Sequence, residues 1–208
     1  MLRKIAEWVI QLESKCFDTL HNVSTSATQI DVESKKSVTR GFWYLPTRPR
    51  TIRRVLSEVL IRNYGQTEFV DFGSGKGRVV LLAAEYPFKK VTGIELSRSL
   101  HETAQANLRC CVRFSRLCAE VECLNLDALD YEFPDANLVL YFFNPFGEEI
   151  LRPLLLKLRD SLAKNGRTVV IVMVRSEFDG VIDGLPDFRL VHRSRARSIY
   201  TLDGKTLG

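Results

Sequence analysis

From Thr67 onward the chain alternates two hydrophobic patterns. Short runs rich in β-branched and aromatic residues, at 67–71, 90–94, 119–124, 136–143 and 166–174, predict strands, while the stretches at 78–86, 97–113 and 147–163 predict helices. The run at 136–143 is almost wholly apolar, as expected of a strand buried on both faces within a parallel sheet. Ser97 stands where a helix N-cap is needed. The order βαβαβ, then βαβ, predicts parallel strands joined by right-handed crossovers. The tail differs in kind, because the short strands at 188–192 and 198–202 are separated by only five mostly polar residues. That spacing predicts an antiparallel hairpin closing one sheet edge.

Before Thr67 the pattern changes. Leu2, Ile5, Val9, Leu12, Cys16 and Leu20 recur every three or four residues, a narrow apolar stripe on a helix that could dock on the domain or pair with another chain. Polar residues at 21–37 predict a loop or lid. Pro46 and Pro49 then lead into a second helix at 50–63, which Gly65 stops. The expected organisation is an N-terminal helical appendage with a lid-like segment at 1–66, followed by an α/β domain at 67–208. That domain is expected to be a doubly wound, mostly parallel seven-stranded sheet with helices on both faces and a C-terminal antiparallel hairpin.

Length and composition fit this picture. The 208 residues, 45% of them hydrophobic, suffice for one α/β core. The longest apolar runs fall short of the roughly 18 residues that suggest a membrane span. Glu7, Gln11 and Glu13 interrupt the N-terminal apolar stretch, so no membrane association and a cytoplasmic location are expected. Five cysteines and three histidines are scattered without metal-ligand spacing, which predicts reduced thiols and no metal site. The net charge of +5 is unevenly placed: residues 1–66 hold eleven Lys and Arg against six Asp and Glu, while residues 67–208 hold nineteen of each. Arg40, Arg48, Arg50, Arg53 and Arg54 cluster beside Phe42, Trp43 and Tyr44. This is either a solvated helix face over packed aromatics or a surface for nucleic acid.

The chemistry concentrates in Asp71-Phe72-Gly73-Ser74-Gly75-Lys76-Gly77, with Glu95 eighteen residues beyond it. The glycines sit between a strand and a helix, where positive φ and the lack of a Cβ let a ligand approach the backbone. Glu95 ends the next strand, where doubly wound sheets hold the acid that binds a ribose diol. A P-loop would need Ser or Thr after Lys76, but Gly77 stands there. A dinucleotide fingerprint would need its third glycine at position 78, which is Arg. An NAD-binding oxidoreductase and an unliganded glycine turn stay open on spacing alone.

The pattern Asp-x-Gly-x-Gly-x-Gly with a later Glu closely resembles the first two motifs of class I S-adenosylmethionine (SAM)-dependent methyltransferases, and the resemblance runs over about residues 44–202. It implies SAM as cofactor and a methyl acceptor as partner, whether protein, nucleic acid or small molecule. Asp71 would lie near the cofactor ammonium, with Gly73, Ser74, Gly75 and Gly77 around the aminoacyl end. Glu95 would take the ribose, Leu96 would contact the adenine, and Asp127 in Asp127-Ala128 would accept from the adenine amino group. Asn144-Pro145-Phe146 is similar to the Asn-Pro-Pro-Tyr/Phe motif of amino-methylating members, with one proline fewer. The resemblance gives Asn144, Pro145 and Phe146 the catalytic positions. Tyr44-Leu45-Pro46-Thr47 resembles a Tyr-x-Pro-Thr segment of some non-SET protein-lysine methyltransferases, which implies that Tyr44 and Thr47 fold over the cofactor carboxylate. The expected activity is methyl transfer to nitrogen, with a protein side chain favoured. A nucleic-acid-binding or RNA-methylating protein using the basic N-terminal segment is the alternative.

Overall fold

Alternation along β1 (Thr67–Phe72) sends Phe69 and Asp71 to one face of the sheet and Val70 and Phe72 to the other, and all six residues are buried. A strand covered on both sides belongs at the centre. In the computed structural model, which describes residues 2–26, 45–59, 61, 63–112, 115–164 and 166–203, β1 lies between β2 (Lys90–Glu95) and β4 (Asn137–Phe142). The sheet order is β3-β2-β1-β4-β5-β7-β6, with β3 at Glu120–Asn125, β5 at Thr168–Val174, β6 at Arg189–Arg193 and β7 at Arg197–Asp203. The first five strands pair in parallel, and β7 joins β5 and β6 antiparallel. Strand order reverses between β1 and β4, so a crevice opens beyond their carboxyl ends.

Helices cover both faces. On one side Val70, Phe72, Leu140, Phe142 and Ile171 pack with Leu151, Leu155 and Leu158 of α5 (Glu148–Lys164) and with Val181 and Ile182 of α6 (Asp179–Asp183). On the other side Phe69, Val91, Val139, Tyr141 and Val172 pack with Val80 and Leu82 of α3 (Arg78–Ala83) and Ala104 of α4 (Arg98–Cys110). Phe17 of α1 (Leu2–His21) and Ile52, Val55 and Leu56 of α2 (Pro49–Glu58) complete that second layer. The N-terminal helices thus share a core with the sheet.

Three local expectations change. The helix expected at 50–63 ends at Glu58, because Val59 turns to extended backbone. The five-residue α6 is too short to leave a periodic signal. From Val9 onward the apolar stripe of α1 does not dock: Val9, Leu12, Cys16 and Leu20 are exposed, and the helix turns Ser14, Phe17 and His21 inward instead. Its inward face meets a buried arginine, which needs oxygen partners and an aromatic face more than aliphatic bulk. Among the described residues no helix is long and apolar enough to cross a membrane.

Candidate functional site

The turn after β1 is built by three left-handed glycines, Gly73 (φ 75°), Gly75 (φ 53°) and Gly77 (φ 81°). The amides of Gly73 and Ser74 both donate to the Ile94 carbonyl at 2.9 Å, fastening the turn to the end of β2. Absence of a Cβ matters most at Gly73, where one would lie 2.4 Å from Pro145 Cβ. The glycine turn and the Asn144-Pro145 loop therefore touch through a position that admits no side chain.

The carboxylates gather at the same rim. Glu95 accepts from the amide of Gly75 through Oε2 and from that of Ser97 through Oε1, each at 2.8 Å. Asp71 is 3% exposed, and its Oδ2 has no hydrogen-bond partner among the described residues. Burial, reinforced by the charge of Glu95, pushes the Asp71 carboxyl well above its ordinary range. Ser74 Oγ in the same turn is also buried without a partner among the described residues. A buried carboxylate with an unmet oxygen calls for a cation or donor, and the ammonium of SAM supplies both. The residues present fit that cofactor.

The other expected cofactor contacts differ in how they are held. Leu96 is exposed beside Glu95, and Asn125 Nδ2 clamps the carbonyls of both at 2.9 Å. Asn125 went unassigned in the sequence, because only the β2–β3 register places it opposite Glu95. Asp127 is half-buried after β3 and accepts from the Leu129 amide at 3.0 Å, capping a 3-10 turn. Thr47 is buried, with Oγ1 3.3 Å from the hydroxyl of Tyr141, which is paired in register with Asp71. Tyr44 lies outside the described residues, as do Arg40, Phe42 and Trp43.

The Asn144-Pro145-Phe146 segment divides. Asn144 adopts a left-handed backbone (φ 46°), unusual for a side-chain-bearing residue, and its Oδ1 is buried with no partner among the described residues. Pro145 covers Gly73. Phe146 points into the core, its ring edge-on to Phe142 at 6.0 Å, because α5 starts two residues later and must pack on that face of β4. Phe146, to which the resemblance gives a catalytic position, therefore sits in the hydrophobic core.

One thiol lies near these carboxylates and is held protonated. Burial, with the nearby charges of Asp71, Glu122 and Glu95, pushes the Cys123 thiol up to about 12. No cluster of His, Cys, Asp and Glu suited to a metal occurs among the described residues. The N-terminal arginines are largely paired: Arg48 and Arg50 with Glu13, Arg53 with Glu85, and Arg54 with Glu58.

A seven-stranded sheet with a reversed hairpin, a glycine turn under a buried carboxylate, and an acid ending β2 together make the class I SAM-dependent methyltransferase fold. Comparison with known proteins agrees, since residues 69–166 match a methyltransferase domain. Among solved structures, the chain is similar to an RNA methyltransferase from Salinibacter ruber in complex with S-adenosyl-L-homocysteine, at 22% identity and a TM-score of 0.50 over 76% of this chain and 93% of that one. It is also similar to magnesium protoporphyrin IX methyltransferase (ChlM) from Synechocystis PCC 6803 with bound SAM, at 13% identity and a TM-score of 0.51 over 74% and 78%. A third is a ribosomal protein L11 methylase from Lactobacillus delbrueckii subsp. bulgaricus, at 14% identity and a TM-score of 0.50 over 73% and 76%. No curated protein matches the sequence significantly. Together these neighbours share the fold and differ in acceptor.

Proposed function

We propose that the enzyme transfers the methyl group of SAM to a nitrogen, with a protein side chain as the favoured acceptor and residues 67–208 as the SAM-binding unit. The observation that carries this reading is Asn144 Oδ1, a buried acceptor without a donor among the described residues, held by a left-handed backbone at the carboxyl end of β4. Such a group is costly unless a donor arrives, and an N–H of the acceptor is the donor that fits. Phe146 is absent from the rim, so binding here does not depend on stacking a planar base on it.

When bound, SAM supplies an electrophilic methyl group on a sulfonium sulfur. Asp71 would hold its ammonium and Glu95 its ribose hydroxyls, with Gly73, Ser74, Gly75 and Gly77 around the aminoacyl end. Leu96 and Asp127 would flank the adenine. Asn144 Oδ1 would accept one N–H of the target and so fix the direction of its lone pair, and the Pro145 carbonyl would take a second. Alignment of this kind contributes most of the acceleration in a positioned bimolecular reaction. The nitrogen can lose its proton to water afterwards, so no histidine is needed.

Protein is favoured over nucleic acid because Arg48, Arg50, Arg53 and Arg54 are engaged by carboxylates, which reduces the charge available for phosphates. The likeness of Tyr44-Leu45-Pro46-Thr47 to protein-lysine enzymes points the same way. A reducing cytoplasm suits the five cysteines, all free thiols. The decisive experiment incubates a lysate with labelled SAM and the enzyme. Label should enter protein as an N-methylated amino acid, and Asn144→Ala should lower kcat on the order of a hundredfold while SAM affinity holds. Label confined to nucleic acid would overturn the protein assignment, and equal loss of turnover and affinity would make Asn144 structural.

A further inference from the structure

We propose that Arg78 is a positioning residue that fastens the N-terminal segment to the glycine turn, making residues 14–26 and Thr47 a structural part of the cofactor site. Arg78 directly follows Gly77 and opens α3, and its side chain is almost completely buried. Three separate stretches converge on its guanidinium. Nε donates to Thr25 Oγ1 at 2.7 Å, and Nη1 donates to Ser14 Oγ at 3.0 Å and to the Thr47 carbonyl at 3.2 Å. Nη2 reaches Asp18 Oδ1 at 3.4 Å, and the ring of Phe17 lies 5.4 Å from the guanidinium carbon.

Asp18 extends the assembly by accepting from the amides and hydroxyls of both Thr25 and Ser26. A second pin stands on the other side of Gly77. Asn107 of α4 donates through Nδ2 to the Lys76 carbonyl at 2.9 Å and to the Ser24 carbonyl at 3.3 Å, and its Oδ1 accepts from the Ser24 amide at 2.8 Å. The two pins thus grip residues 76 and 78, on either side of the left-handed Gly77. Thr47 carries the connection onward through Tyr141, which is paired in register with Asp71.

A buried guanidinium is a costly way to secure a helix, since apolar residues of similar size usually stabilise as well or better. What it adds here is geometry. Five planar donors in a fixed fork hold three chain segments in one arrangement relative to the turn. Any ligand that orders the turn is then coupled to the order of those segments, and the coupling is reciprocal.

The test uses the full chain and S-adenosyl-L-homocysteine, with calorimetry and hydrogen exchange as readouts. Arg78→Lys keeps the charge and loses the fork. It is expected to remain folded by circular dichroism, to weaken binding on the order of tenfold or more, and to abolish ligand-dependent protection of the Thr25 and Ser26 amides. Thr25→Ala and Ser14→Ala, which leave the guanidinium its other partners, should each show the same effects in smaller measure and serve if Arg78→Lys fails to fold. Overturning results are wild-type affinity in Arg78→Lys, or in both alanine variants, while residues 14–26 exchange freely. Wild-type protein in which the ligand protects the glycine turn but not residues 14–26 would also overturn it.

Discussion

If Asp71 holds the cofactor ammonium as proposed, a single residue trades stability for binding. Its carboxyl is buried, meets the charge of Glu95, and leaves one oxygen without a partner among the described residues. For an acid whose folded pKa is raised, the unfolded chain releases its proton more readily, so the fold loses stability as pH rises through the ordinary carboxylate range toward the raised value. Asp71→Asn removes that penalty. The variant should gain about 1–3 kcal/mol in chemical denaturation near neutral pH and should lose cofactor binding by calorimetry. Binding by the wild type should release protons, seen as a heat that differs between buffers of unlike ionisation enthalpy. Gly73 makes a second residue-scale case. An alanine there would put a Cβ 2.4 Å from Pro145 Cβ at φ 75°. The expected cost is about 2–4 kcal/mol in denaturant titration, with loss of cofactor affinity. Gly180→Ala, where a new Cβ meets nothing within 4 Å, is the matched control. It should be neutral or stabilising by up to about 1 kcal/mol.

At the scale of elements, the strands were readable because each is a short apolar run bounded by turn residues, and all seven lie close to where the pattern puts them. The glycine turn and Glu95 were equally plain, since positive φ and strand-end acids leave their mark in residue type. What was hidden is set by pairing between distant segments. Asn125 acts on Glu95 only through the β2–β3 register, and Phe146 turns inward only because α5 packs on β4. The stripe on α1 did not mark the docking face, because periodicity identifies an apolar face without saying what it covers, and the docking face carries Ser14, Asp18 and His21 among its members. Arg78 gave no warning at all. Arginine is normally a surface residue, and its burial depends on oxygens 31 to 64 positions away.

For the whole molecule, cofactor binding and stability should be linked. A ligand at a hundred times its Kd adds about 2.7 kcal/mol, so S-adenosyl-L-homocysteine should raise the melting temperature by roughly 5–10 °C. A thermal scan checks this, and Asp71→Asn should show no such rise. The position of β7 sets a different property, the order of assembly. It is the last of the described strands in sequence yet lies between β5 and β6, so the sheet stops at β5, two strands short, until residues 197–203 dock. The hairpin with β6 closes over only a few residues and can form first, whereas docking on β5 fixes distant contacts and must come later. Until it does, β5 presents an open apolar edge, which makes a chain whose synthesis has passed β5 but not β7 prone to aggregation.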